Sequence, residues 1–220
     1  MLVGKKNTLV SGNLTVSIVG DSFTEYYKNT YLELLCEFLN LKVIDHIGFP
    51  GGSQYKIYKA FIKQLNKKPD VMICVHTNAS RLYHDTYGIN RVSISKKLEE
   101  FSFSNKEVYD AADKYYKYLY NEESSNFTYN LTIKEMQQLC YLNGIKMVNI
   151  PAFSYDHITK YYGLWLSIKP KGLLTLATTN TDYLKLKNHF NDDSHKFIAK
   201  KFLPHIKDYC IDGLNKNIVF

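Results

Sequence analysis

Apolar residues along the chain recur in two alternating rhythms. An unbroken run at 14–19 (LTVSIV) reads as a buried strand, and Tyr31, Leu34, Leu35, Phe38 and Leu39 then fall on one helical face. The pattern repeats with a strand at 41–47 (LKVIDHI) and a stripe of Ile57, Tyr58, Phe61, Ile62 and Leu65. A third strand, 71–75 (VMICV), follows a Pro-Asp turn. Beyond it, residues 77–104 are polar and irregular. Val108, Ala111, Ala112, Tyr115 and Leu119 then predict one helix, and Ile133, Met136, Leu139 and Cys140 another that ends at Asn143-Gly144. A fourth strand, 145–150 (IKMVNI), stops at Pro151. The stretch 152–190 carries the weakest pattern, with 173–178 (LLTLAT) a strand or part of a covering loop. The segment from Ser194 to about Tyr209 reads as helix, with a kink expected at Pro204.

Strands alternating with helices predict βαβ units, hence an α/β fold. The expected form is a three-layer α/β/α sandwich around a mostly parallel, flavodoxin-like sheet. With 220 residues and no linker or repeat, one domain over 1–220 is expected, and 82–130 and 152–190 are candidate pocket or lid insertions. No apolar run is long enough for a membrane span. The N-terminal MLVGKKNTLVSGN lacks an apolar segment and a small-residue cleavage site, so cytoplasmic synthesis without a secretory signal is expected.

Charge alters this picture little. The formal net charge is +7, but lysine supplies almost all of it, and only Arg81 and Arg91 carry guanidinium groups. Base reading favours arginine, and the lysine pairs are dispersed, so nucleic acid is not the expected partner. Cys36, Cys74, Cys140 and Cys210 lack metal-ligand spacing and read as buried thiols. The histidines are scattered too, so no metal and no cofactor is called for.

The candidate chemistry lies at the two ends of the chain. Gly20-Asp21-Ser22-Phe23 stands at the carboxyl end of the first strand, where open α/β sheets bind ligands. The same tripeptide also makes an ordinary turn and helix cap. A serine nucleophile needs a base, and the base needs an orienting acceptor. Asp192-Asp193-Ser194-His195 offers both, because the i, i+3 spacing sets Asp192 beside His195 on a helical turn. The alternative is that this cluster only caps the last helix.

These segments resemble the SGNH, or GDSL-type, hydrolase superfamily, in which a strand leads into Gly-Asp-Ser and Asp-x-x-His stands near the C-terminus. The family's second motif, a glycine after the second strand, matches Gly51 best and Gly52 next, within His46-Ile47-Gly48-Phe49-Pro50-Gly51-Gly52-Ser53. Its third, an asparagine past the third strand, matches Asn78 in Val75-His76-Thr77-Asn78. The resemblance spans about residues 14–206. It implies a metal-independent serine esterase in which Ser22 attacks, His195 is the base and Asp192 orients it. By the same resemblance, the Ser22 and Gly51 backbone N–H groups and the Asn78 amide would form the oxyanion hole. One departure is that His76 and Ala79 replace the residues that flank the family's asparagine in Gly-x-Asn-Asp.

Asp21, Gly52, His76, Thr77 and Arg81 are further candidates for substrate binding. Arg81 either binds an anion or reinforces the oxyanion, or else makes a surface salt bridge; an inward Arg81 would favour an acidic substrate. The 19 tyrosines suit either packing or stacking on sugar rings. The expected function is therefore deacylation, first of all O-deacetylation, of a carbohydrate or similar small ester. The alternatives are an acyltransferase with the same triad, which added acceptor alcohol would reveal, and an inactive module that binds a glycan or polyanion. Nothing in the sequence specifies an oligomeric state.

Overall fold

The computed structural model describes residues 14–25, 28–91, 94, 106–153, 160–168, 172–174, 190–212 and 217–219. Six strands form one parallel sheet: β1 (Thr15–Asp21), β2 (Lys42–Phe49), β3 (Val71–His76), β4 (Lys146–Pro151), β5 (Leu164–Ser167) and β6 (Asn217–Val219). Their spatial order is β2-β1-β3-β4-β5-β6, the flavodoxin-like order extended by one strand. The α-helices among the described residues are α1 (Tyr31–Phe38), α2 (Gln54–Leu65), α3 (Lys106–Tyr118), α4 (Glu122–Leu142) and α5 (Asp192–Lys207).

Period-two alternation in the central strands builds two cores. Val16, Ile18, Val71, Ile73, Val75, Val148 and Ile150 turn to one face, where Leu32, Leu35 and Cys36 of α1 and Ile198, Phe202 and Ile206 of α5 cover them. Val19, Met72, Cys74 and Met147 turn to the other face, beneath Ile57 and Phe61 of α2 and Met136 and Cys140 of α4. Because both faces are covered, the central strands carry apolar residues on both sides, and β3 is buried along its whole length. All four cysteines are buried free thiols. No described helix is long and apolar enough to cross a membrane.

The four strands expected up to residue 150 are all present, in a fully parallel sheet. The differences from expectation lie elsewhere. β5 and β6 carry no sequence pattern of their own, being only four and three residues long. In the 173–178 segment, Leu173 and Leu174 lie in a turn whose amides reach Pro151 O and Ala152 O, and 175–178 fall outside the described residues. α4 begins eleven residues before the first apolar position that predicted it, at an Asn121 cap that accepts from the Ser124 N–H (2.8 Å). α5 runs through Pro204 without interruption.

The chain turns away from β1 to β2 on one side and reaches β3 on the other, so the crevice between the carboxyl ends of β1 and β3 is the switch point. Ser22 follows β1 and Asn78 follows β3. The fold therefore carries both to one place.

Candidate active site

Local backbone chemistry fixes Ser22. Asp21 leaves β1 in extended conformation and its Oδ1 accepts from the Phe23 N–H (3.0 Å), capping a single 3-10 turn, Ser22–Thr24. Thr24 Oγ1 donates back to Asp21 O. His46 tightens the same turn from β2; its Nε2 lies 2.6 Å from Thr24 O and must be the donor, because a carbonyl can only accept. Gly20 is required here, since a Cβ would stand 2.6 Å from Val75 Cβ and 2.8 Å from Val75 O.

Ser22 lines a cavity of about 540 Å³, a size that suits a small-molecule ligand. Gly51 and Asn78 line it as well. Gly51 has φ +68, and a Cβ there would meet Gly88 Cα at 2.8 Å, so backbone must approach backbone at this point. Among the described residues its N–H has no acceptor. The Gly52 N–H, by contrast, donates to Phe49 O (2.8 Å) and closes the turn. Asn78 Oδ1 accepts from Ser80 N (2.8 Å) and Ser80 Oγ (2.7 Å), which leaves the donating Nδ2 without an acceptor among the described residues. One backbone and one side-chain donor thus belong to residues that line the same hollow as the serine.

Arg81 points inward. Its side chain is only 9% exposed; Nη1 lies 3.6 Å from Asp21 Oδ2 and donates to Gly52 O (3.3 Å), and the guanidinium sits 4.8 Å over the Phe153 ring. Asp21 is wholly buried, and burial raises its pKa to about 6 against the opposing pull of Arg81. The surface-salt-bridge reading of Arg81 is therefore replaced by a buried pair beneath the cavity.

Two other candidates turn away from the cavity. The His76 ring is buried between Gln54 Nε2 (3.1 Å from Nδ1) and Asn149 Oδ1 (2.9 Å from Nε2), and it stacks on Trp165. Burial pushes its pKa down to about 4, so it is a neutral core histidine. Thr77 spends its N–H on Gln54 Oε1 and its carbonyl on the Tyr129 hydroxyl (2.7 Å), tying the end of β3 to α2 and α4.

The C-terminal pair differs from its expected geometry. Asn191, not an aspartate, caps α5, its Oδ1 accepting from the Ser194 N–H (2.8 Å). Asp192 occupies the first turn, exposed to solvent, where its charge complements the helix dipole. His195 is buried; its ring stacks on Tyr31 (6.1 Å, 11°) and meets Phe190 edge-on. Its Nδ1 accepts from the Tyr31 N–H (3.1 Å) at the start of α1, the position where the triad would have the carboxylate. Phe190 in turn packs on Phe23, the neighbour of Ser22 (5.1 Å).

Sequence reasoning did not single out Ser80, Asn90, Arg91, Phe153 and Leu174, which also line the cavity. Of these, only Arg91 had a readable signal, as the second arginine of a lysine-rich chain.

Solved structures to which this chain is similar include TesA, at 11% identity and TM-score 0.50, covering 88% of this chain and 98% of that one. Others are a G-D-S-L family protein from Desulfitobacterium hafniense DCB-2 (15% identity, TM-score 0.47, 87% and 99% covered) and the psychrotrophic esterase EstA from Pseudoalteromonas sp. (10%, 0.47, 89% and 97%). No protein-family model matches the sequence, and no curated protein matches it. The fold class is thus the one the GDSL-type resemblance implies. At such identity it is the fold that the likeness to TesA shows.

Proposed function

We propose that this chain is a serine-dependent ester hydrolase with Ser22 as nucleophile. The observation that carries the reading is the cavity in which Ser22 lies with the Gly51 N–H and the Asn78 Nδ2. Ser22 Oγ attacks the ester carbonyl carbon while His195 takes its proton, and the oxyanion lies against Gly51, Asn78 and the Ser22 N–H. Collapse breaks the bond to the alkoxide, which leaves with the proton from His195. Water then attacks the acyl-serine, giving a proton to His195, and the acyl–Oγ bond breaks as His195 returns that proton to Ser22 Oγ and the acid is released. For this cycle His195 must exchange the Tyr31 N–H for an acceptor on Nδ1. Asp192, three residues earlier on α5, is the carboxylate we assign to that position.

The substrate we propose is an O-acetylated carbohydrate or similar small ester. A second hollow of about 310 Å³ shares Arg81 with the first and is lined by Tyr55, Tyr83, Tyr115 and Tyr129, which supports a sugar on the alcohol side.

A specific observation favours a second reading. The exposed Asp192 and the Tyr31 N–H on His195 Nδ1 suit a binding module that keeps the fold without turnover. Fluorophosphonate labelling with peptide mapping separates the two. Adduct on Ser22, lost in His195→Ala, supports the hydrolase; a folded protein that takes up no label at Ser22 ends it.

A further inference from the structure

We infer that the ligand of the Ser22 cavity carries an oxyanionic group, a carboxylate or a phosphate, that Arg81 and Arg91 hold. The inference rests on reading that cavity as the substrate site.

Lysine and arginine together number 28, and Arg81 and Arg91 are the only arginines. Both line the cavity with Ser22, and among the described residues no lysine and no carboxylate lines it. Chance placement of scattered surface charge would bring lysines there first. Arginine is the residue whose planar fork matches two adjacent oxygens of an anion.

The two guanidinium groups are held differently. Arg81 is pinned by Asp21, Gly52 O and the Phe153 ring, all through one edge and one face. Its Nη2 and Nε have no acceptor among the described residues. Arg91 is exposed, rests 5.7 Å from the Tyr120 ring centre, and forms no ion pair among the described residues. Asp21 offsets one of the two charges, so the described lining keeps a positive balance.

Part of the lining is apolar. Phe23, Pro50, Phe153 and Leu174 supply it, and excluding water there strengthens any charge pair within. A neutral acetylated sugar would offer no charge to Arg91 or to the edge of Arg81 that Asp21 and Gly52 O leave open, and burying those groups without a charged partner is disfavoured. An ester with an oxyanion on its acyl or alcohol part answers them.

Matched ester pairs test this. On the acyl side, 4-nitrophenyl hydrogen succinate is set against its methyl ester; on the alcohol side, 4-acetoxybenzoate and 4-acetoxyphenyl phosphate are set against methyl 4-acetoxybenzoate. Each kcat/KM is normalised to alkaline hydrolysis. We expect at least one anionic partner to be preferred by about tenfold or more, with the preference shrinking about tenfold in Arg91→Gln. It should also shrink as salt rises. Arg81→Lys, which keeps the charge but loses the fork, should reduce the same preference. Equal or better turnover of the neutral partner in every pair, or a preference that Arg91→Gln leaves intact, overturns the inference.

Calorimetric binding of benzoate and phenyl phosphate separates this result from failure of the esterase reading. A chain that takes no label at Ser22 yet binds either anion, more weakly in Arg91→Gln, keeps the anion site and loses the hydrolase. One that labels at Ser22 and cleaves neutral esters but binds neither anion loses the anion site alone.

Discussion

Asp21→Asn removes a wholly buried carboxylate beneath the cavity while keeping its shape. The amide Oδ1 can still accept from the Phe23 N–H, so the turn around Ser22 keeps its cap. What changes is the charge, which burial disfavours strongly enough to raise the Asp21 pKa from 3.8 to about 6 even with Arg81 3.6 Å away. Above that pH both the folded and unfolded chains are ionised, and the folded state bears the whole penalty. At 1.36 kcal/mol per tenfold, the penalty is about 3 kcal/mol. As pH falls through the folded value toward 3.8, the folded chain binds the proton first and stability rises; below 3.8 both states are protonated and the gain is complete.

Asparagine carries no such term. Urea unfolding should therefore find Asp21→Asn more stable than wild type by up to about 3 kcal/mol near pH 8. The advantage should fall by about half near pH 5. An advantage that did not change with pH, or a variant less stable than wild type in alkali, would refute the burial argument. Activity should move the other way, because Arg81 loses the partner that aims it.

Other substitutions probe neighbouring parts of the site. Asn78→Ala should lower kcat about 10²- to 10³-fold with a much smaller change in KM, read by steady-state kinetics on a neutral ester. Gly51→Ala forces a side chain into φ +68 and to 2.8 Å from Gly88 Cα; a loss of about 1–2 kcal/mol or more is expected from the backbone alone, visible as a drop in Tm. Tyr31→Phe removes a buried hydroxyl that has no hydrogen-bond partner among the described residues but keeps the ring stacked on His195. Its stability should be unchanged or higher by about 1 kcal/mol in urea unfolding.

The parts of the fold legible in the sequence are those whose burial is one-sided or complete. β1 and β3 are flanked by strands and covered on both faces, so their apolar runs stand out; α1 and α2 each bury one stripe. α4 hid its first half because Phe127 and Leu131 are exposed while Tyr129 and Ile133 are buried, so apolar residues lie all round it. Its start was nevertheless written in Asn121-Glu122-Glu123, a cap followed by an acidic first turn. Ser22, Gly51 and Asn78 could be found because each follows a strand, and a parallel sheet gathers the ends of its strands. The direction of Arg81 could not, since it depends on a buried carboxylate sixty residues earlier in the chain. Nor could the environment of His195, whose ring nitrogen is met by a backbone amide 164 positions away.

The four buried thiols bear on how the molecule can be handled. Burial pushes Cys36, Cys140 and Cys210 up to about 12 and Cys74 well above its ordinary value, so the native chain presents almost no thiolate at neutral pH. Alkylating reagents should spare the folded protein and modify it only on unfolding. A single cysteine introduced at the mouth of the Ser22 cavity would then be the one reactive position, and a fluorophore placed there would report ligand entry without first clearing the native sulfurs.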